Sequence, residues 1–466
     1  MRRVALLCQS FVLATACSLA PLAAQEARPP DSLAEMQLSF SPVVKRSAPA
    51  VVNVYASWVQ NLRTSPFADD PFFSQFFNGA GRTVPRVKNS LGSGVIVAAD
   101  GIVVSNYHVV EEATDIRVVL ADRREYAGEV VLSDKEADIA VIRLDGAEDL
   151  PSLDFADSDA VEVGDLVLAI GNPFGVGQTV SSGIVSATAR SSAVATNGPG
   201  YFIQTDAPIN PGNSGGALVD MHGRLVGLNT SILTRSGGSN GIGFAIPANL
   251  VAQYVAQARS GNGDFLRPWA GIAVQPVDGG LASALGQIRP EGVLVTELHP
   301  QSGFAAAGVR PGDVLLSIDG LPVNAEAEMN YRLLTRGLGK SVHVRALRDG
   351  AERDLEIEVG PPPDGGMSDP VRIGGRGPLD GLLVAEITPR LIAELDLPLS
   401  SSGVIVLRAE GVSARFGLRP GDTIQSVNGA EVRTAAELSQ LASGDPRGWE
   451  IEIGRGAQTL VLRVRG

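Results

Sequence analysis

The chain has only two cysteines, Cys8 and Cys17, in 466 residues, and both lie close to the N-terminus. A mature chain cut after Ala24 keeps neither, which excludes a disulfide scaffold and any thiol chemistry. There is no block rich in lysine and arginine, and the net charge is −13. This argues against nucleic acid and anionic membrane surfaces as main partners. Past the N-terminus no apolar run approaches the roughly 18 residues that a membrane span requires, so no transmembrane span is expected in the mature chain. No metal-ligand or nucleotide-binding motif is present, and no metal or other cofactor is expected.

Aromatic residues are scarce at 5%, whereas glycine (54) and proline (29) are abundant. Many turns and short strands follow, hence a mainly β architecture, and the length calls for two to four domains. Arg2 and Arg3 precede an apolar run from Val4 to about Ala20, and the small residues Ala23 and Ala24 offer a cleavage point before Gln25. Residues 1–24 therefore read as an export signal. The alternative is a lipobox at Leu13 to Cys17, with Cys17 lipidated.

What is present centres on Asp206 to Leu218, DAPINPGNSGGAL. Within it, Gly212-Asn213-Ser214-Gly215-Gly216 sets one hydroxyl among residues that turn sharply, the way a nucleophile is displayed. Amides of Gly212, Asn213 and Ser214 are the candidates for stabilising an oxyanion. A serine needs a base and an orienting carboxylate. His108 ends the apolar run Ile102–Ser105, and Asp138 begins another, Ile139-Ala140-Val141-Ile142. Read singly, each has an ordinary alternative: a surface histidine, a turn aspartate, a flexible loop. Taken jointly, the order His108, Asp138, Ser214 is that of chymotrypsin-like double β-barrel enzymes.

The pattern along the chain agrees. Strands are expected over Val51–Tyr55, on both sides of the turn Ala99-Asp100-Gly101, over 116–120, 126–132 and 137–144, within 161–175, over 180–189 and 201–205, and on both sides of the turn at His222. An amphipathic helix is expected over 248–259. A Phe-rich stretch, 66–81, follows neither period. Past a linker at Gly261 to Asp264 the chain repeats itself. Gly292-Val293-Leu294-Val295 with Val309-Arg310-Pro311-Gly312-Asp313 reappears as Gly403-Val404-Ile405-Val406 with Leu418-Arg419-Pro420-Gly421-Asp422, across a linker at Pro361 to Gly366.

Each copy resembles a PDZ domain, a module that binds peptides, commonly C-termini, by strand addition. By that resemblance Arg267-Pro268-Trp269-Ala270-Gly271-Ile272 matches the carboxylate-binding loop of the first copy, with Asp380-Gly381-Leu382-Leu383 a weaker match in the second. The motifs SNYHVV (105–110), DIAVI (138–142), GNPFG (171–175) and GNSGGAL (212–218), with two PDZ-like repeats downstream, resemble the HtrA family of serine proteases, in particular its two-PDZ, DegP- and DegQ-like members. The resemblance implies a protease domain at 38–260, PDZ domains at 267–360 and 371–466, and an S1 pocket lined by Ile209, Ser231 and Ile232 that favours small or medium aliphatic residues. It further implies periplasmic degradation of unfolded or damaged proteins without ATP, binding of C-terminal peptides at Trp269, Ala270, Gly271 and Ile272, and assembly as trimers or larger cages. A role in holding clients as a chaperone is the rival reading.

Overall fold

The computed structural model describes residues 39–64, 82–172, 177–191, 201–210, 212–232, 241–261, 263–363, 369–375, 377–444, 448–456 and 458–465. The export signal, the Phe-rich stretch and most of the loop expected over 190–200 lie outside the described residues.

Runs of β-branched residues separated by turns build two six-stranded antiparallel barrels. The first closes in the spatial order Val51–Thr64, Arg82–Ala98, Ile102–Ser105, Ile139–Leu144, Glu125–Asp134, Asp115–Val119. The second runs Ala217–Val219, Leu225–Ile232, Gly243–Pro247, Tyr201–Thr205, Thr179–Ser191, Leu166–Gly171. Closure leaves neither sheet with an open edge. Alternate side chains such as Val52, Val54, Ile96, Val118 and Ile142 fill the first interior, and Ile203, Leu218 and Val226 belong to the second.

The helix Ala248–Arg259 forms where the period of 3.6 places it. It lays Leu250, Val251, Tyr254, Val255 and Ala258 on the barrel core. Elsewhere the strands depart from expectation. The first is much longer, 14 residues. The run expected within 161–175 is a strand only from Leu166 to Gly171, because Glu162 N–H donates to Asp165 (2.9 Å) and Gly164 turns the chain at φ +105°.

Two smaller sheets follow. The first orders its main strands as Ile272–Pro276, Val293–Leu298, Val314–Ile318, Lys340–Arg348, Ala351–Val359. The second runs Val371–Ile373, Leu382–Glu386, Val404–Ala409, Thr423–Val427, Gly448–Arg455, Gln458–Arg465. The longest helix beside each is Glu326–Arg336 in the first and Ala435–Ala442 in the second. The repeated aspartate has one role in both copies. Arg348 grips buried Asp313 with two bonds of 2.5 and 2.6 Å, and Arg455 grips buried Asp422 with two of 2.6 and 2.7 Å. Burial alone pushes the Asp313 carboxyl up, but the Arg348 fork and the Arg310 amide hold it below the usual carboxylate range.

The helix Glu326–Arg336 joins the first small sheet to the second barrel. Tyr331 belongs to the hydrophobic cluster that draws on both barrels and stacks on Tyr201 at 3.8 Å between ring centroids. Beside it Arg332 pairs with Asp159.

Candidate active site

The strands Ile102–Ser105 and Ile139–Leu144 are neighbours, with Ser105 opposite Ala140. They therefore carry His108 and Asp138 at the same end of the first barrel. His108 sits in the helical turn Tyr107–Val110, and Asp138 takes a left-handed φ of +55° just before its strand. The Asp138 carboxylate lies 2.9 Å from His108 Nδ1 through either oxygen and accepts the His108 backbone N–H at 3.1 Å. It also accepts the Thr230 hydroxyl at 2.6 Å, while Asn106 Nδ2 donates to the Asp138 carbonyl at 2.9 Å. A carboxylate on Nδ1 fixes the proton there and leaves the Nε2 lone pair free to act as a base.

Ser214 comes from the second barrel, on a loop pinned by Ser93 of the first. Ser93 Oγ donates to the Gly212 carbonyl (2.6 Å), and Ser93 N–H donates to the Ser214 carbonyl (2.9 Å). The turn needs its glycines. A Cβ on Gly215, at φ +79°, would stand 2.2 Å from the Ser93 carbonyl oxygen. Ser214 Oγ donates to the Thr230 carbonyl at 2.9 Å. Among the described residues His108 and Ser214 share no hydrogen bond, so half of the expected relay is made and half is not. The three amides also separate. Asn213 N–H donates to the Asn210 carbonyl at 2.9 Å. It is thus withdrawn as an oxyanion donor, and the amides of Gly212 and Ser214 are left as candidates.

Reading the sequence missed Thr230, whose hydroxyl holds Asp138 and whose carbonyl holds Ser214. It also missed Asp134. Asp134 Oδ1 accepts the N–H groups of Glu136 (2.8 Å) and Ala137 (3.1 Å), shaping the turn that delivers Asp138. Its other oxygen accepts Tyr254 Oη–H at 2.7 Å and Arg267 Nη2 at 2.5 Å. Burial pushes the Tyr254 hydroxyl far up, so it stays a donor. Arg267 also meets Glu136 at 3.1 Å. This arginine, expected in a carboxylate-binding loop, is committed to the protease turn instead.

Of the residues expected to line a specificity pocket, Ile209 is buried in the second barrel's core and touches the position of Gly243. Ser231 and Ile232 end the strand Leu225–Ile232, and their side chains lie outside the described residues. In the first small sheet Ala270 and Ile272 are buried in its core, and Gly271 turns at φ +60°. Trp269 meets His299 edge to face at 5.1 Å, and Ile272 opens the outermost strand.

Comparison with known proteins agrees with this arrangement. Residues 92–228 match the model of the trypsin-like peptidase domain, and residues 268–359 that of the PDZ domain. The chain is 34% identical over 490 residues to the periplasmic serine endoprotease DegP of Escherichia coli (strain K12), covering 100% of both chains. It is 37% identical over 468 residues to a probable periplasmic serine endoprotease DegP-like of Halomonas elongata, covering 96% of both. Among solved structures it resembles the HtrA-type protease AlgW with decapeptide, at 40% identity and a TM-score of 0.51, over 70% of this chain and 99% of that one. On its two barrels, its peptidase and PDZ matches and its full-length likeness to these relatives, the chain belongs to the DegP/HtrA-type family of serine endoproteases.

Proposed function

We propose that this serine endoprotease degrades unfolded or damaged proteins in the periplasm without ATP, with Ser214, His108 and Asp138 as its catalytic residues. The observation that carries the reading is the His108–Asp138 pair, held by Thr230 at the seam where Ser214 is displayed. Ser214 Oγ turns from the Thr230 carbonyl to His108 Nε2, gives up its proton there and attacks the scissile carbonyl carbon. Asp138 stabilises the imidazolium, and the amides of Gly212 and Ser214 receive the oxyanion. The imidazolium then protonates the leaving amine. Water, deprotonated by His108, hydrolyses the acyl-enzyme, and the His108 imidazolium returns the proton to the departing Ser214 Oγ.

The segment 38–260 serves as the protease, and 267–360 and 371–466 as PDZ modules. Peptides with free C-termini add to the open edge Ile272–Pro276 beside Trp269 to Gly271. The helix flanking that sheet touches Tyr201 in the second barrel, which supports communication between peptide and protease. Assembly as a homotrimer, and export by the N-terminal signal, complete the reading.

The test is degradation of reduced casein by the mature chain beside Ser214→Ala, with fragment ends read by mass spectrometry. Cuts after Val, Ala, Leu or Ile that vanish in the variant are expected. Cleavage by neither protein, with an activating C-terminal peptide present, would overturn the reading.

A further inference from the structure

The two small sheets share their strand order, the Asp–Arg pair and a flanking helix, yet they differ at one edge. In the first sheet the outermost strand is Ile272–Pro276. Its counterpart in the second, Leu382–Glu386, carries a further strand outside it, Val371–Ile373. The two are antiparallel, with Val371 opposite Val384, Arg372 opposite Leu383 and Ile373 opposite Leu382. A peptide added to a sheet edge takes this kind of pairing and places its last side chain beside the loop that opens the edge strand.

We propose that the groove of the second sheet is a binding site for an internal extended segment with an aliphatic anchor, filled by residues 371–375 of the same chain. Ile373 is fully buried, in one cluster with Leu382, Val384, Leu438 and Ala442 of the edge strand and the helix. Its carbonyl oxygen accepts the Gly381 N–H at 3.0 Å, where the last carbonyl group of a bound peptide would stand. Gly381 reaches that position at φ +88°, and a Cβ there would meet the Glu410 carbonyl oxygen at 2.3 Å. The chain then passes the end of the helix, where a Cβ on Gly375 would lie 2.8 Å from the Ala442 carbonyl oxygen.

Charge selects an internal segment over a free C-terminus. Asp380 and Glu410 flank Gly381 at the end of the groove where a terminal carboxylate would sit. Asp380 Oδ1 accepts the Gly375 N–H at 3.2 Å, a donor that exists only if the chain continues past the anchor. Arg372 neutralises Glu410 at 3.0 Å. Arg408 meets the same Glu410 at 3.5 Å, so a peptide ending at the position of Ile373 loses the Asp380 contact and sets a second negative charge beside Asp380. C-terminal peptides therefore engage this chain at the first sheet alone, one per chain. The inference does not depend on the identity of the catalytic residues.

Hydrogen exchange read by mass spectrometry, on full-length mature Ser214→Ala with a decapeptide ending in Val-Ile, tests it. Amides of 382–386 should exchange at least about tenfold more slowly than those of 272–276 in the free chain, with no further change on adding peptide. Rapid exchange at 382–386 in the free chain, or protection gained there with peptide, would overturn the proposal. A second variant avoids the core: Arg372→Cys with Leu383→Cys, an exposed and a half-buried residue directly opposite each other. Their disulfide should form on air oxidation in a chain beginning at Gln25, leaving peptide stoichiometry at one. Failure of the disulfide to form, or loss of a second binding event when it does, refutes occupancy in cis.

Discussion

Thr230 ties the nucleophile to the carboxylate: one residue accepts from Ser214 and donates to Asp138. Thr230→Val keeps the shape and the carbonyl but removes the hydroxyl, so Asp138 loses a charge-assisted bond of about 1.5–3 kcal/mol. Expressed in the transition state, that is roughly a ten- to hundredfold fall in kcat, largely restored by Thr230→Ser. Steady-state kinetics on a short peptide substrate measures it, and a Val variant with unchanged kcat would show that the hydroxyl is idle. At this scale His108, Asp138 and Ser214 were legible, because each sits against an unusual local pattern: a polar residue ending a buried run, an acid beginning one, a hydroxyl among glycines. Thr230 and Ser93 were not. Threonine and serine suit a strand anywhere, and only the approach of the two barrels gives these two a task.

Elements carry the next layer. The turn from Asp134 to Asp138 is shaped by a carboxylate that takes Tyr254 from the helix Ala248–Arg259 and Arg267 from the linker beyond it. Arg267→Ala leaves Asp134 short of its strongest partner and loosens the placement of Asp138. Expected is a several-fold fall in kcat on a short peptide substrate, with the exposed carboxylate variant Glu136→Gln nearly silent. Equal losses in both variants would mean that charge near the turn matters, not its anchoring. The helix was readable from its apolar period, and the repeated Arg-Pro-Gly-Asp disclosed the second small sheet. The strand Val371–Ile373 was hidden. Val-Arg-Ile alternates, but three residues between a proline-rich linker and a glycine turn are too few to signal a strand, and only pairing with Leu382–Glu386 makes them one.

In the whole molecule the joints differ. The first small sheet shares a hydrophobic cluster with the barrels through Tyr331, whereas among the described residues the cluster of the second contains only its own. The peptide edge left open thus belongs to the module whose helix packs on the second barrel. The domain order was legible from the two barrels' worth of strands followed by a repeat. The packing of Tyr331 on Tyr201 was not, since neither aromatic stands out in a pattern until the two modules meet. The two barrels meet around one serine at the seam, Ser214. The most direct measurement is the adduct formed by a fluorophosphonate, in the presence of an activating C-terminal peptide, located by mass spectrometry. One adduct per chain is expected, on Ser214, lost in Ser214→Ala and strongly slowed in His108→Ala. Casein cleavage by a chain that forms no adduct at Ser214 would contradict Ser214 as the nucleophile.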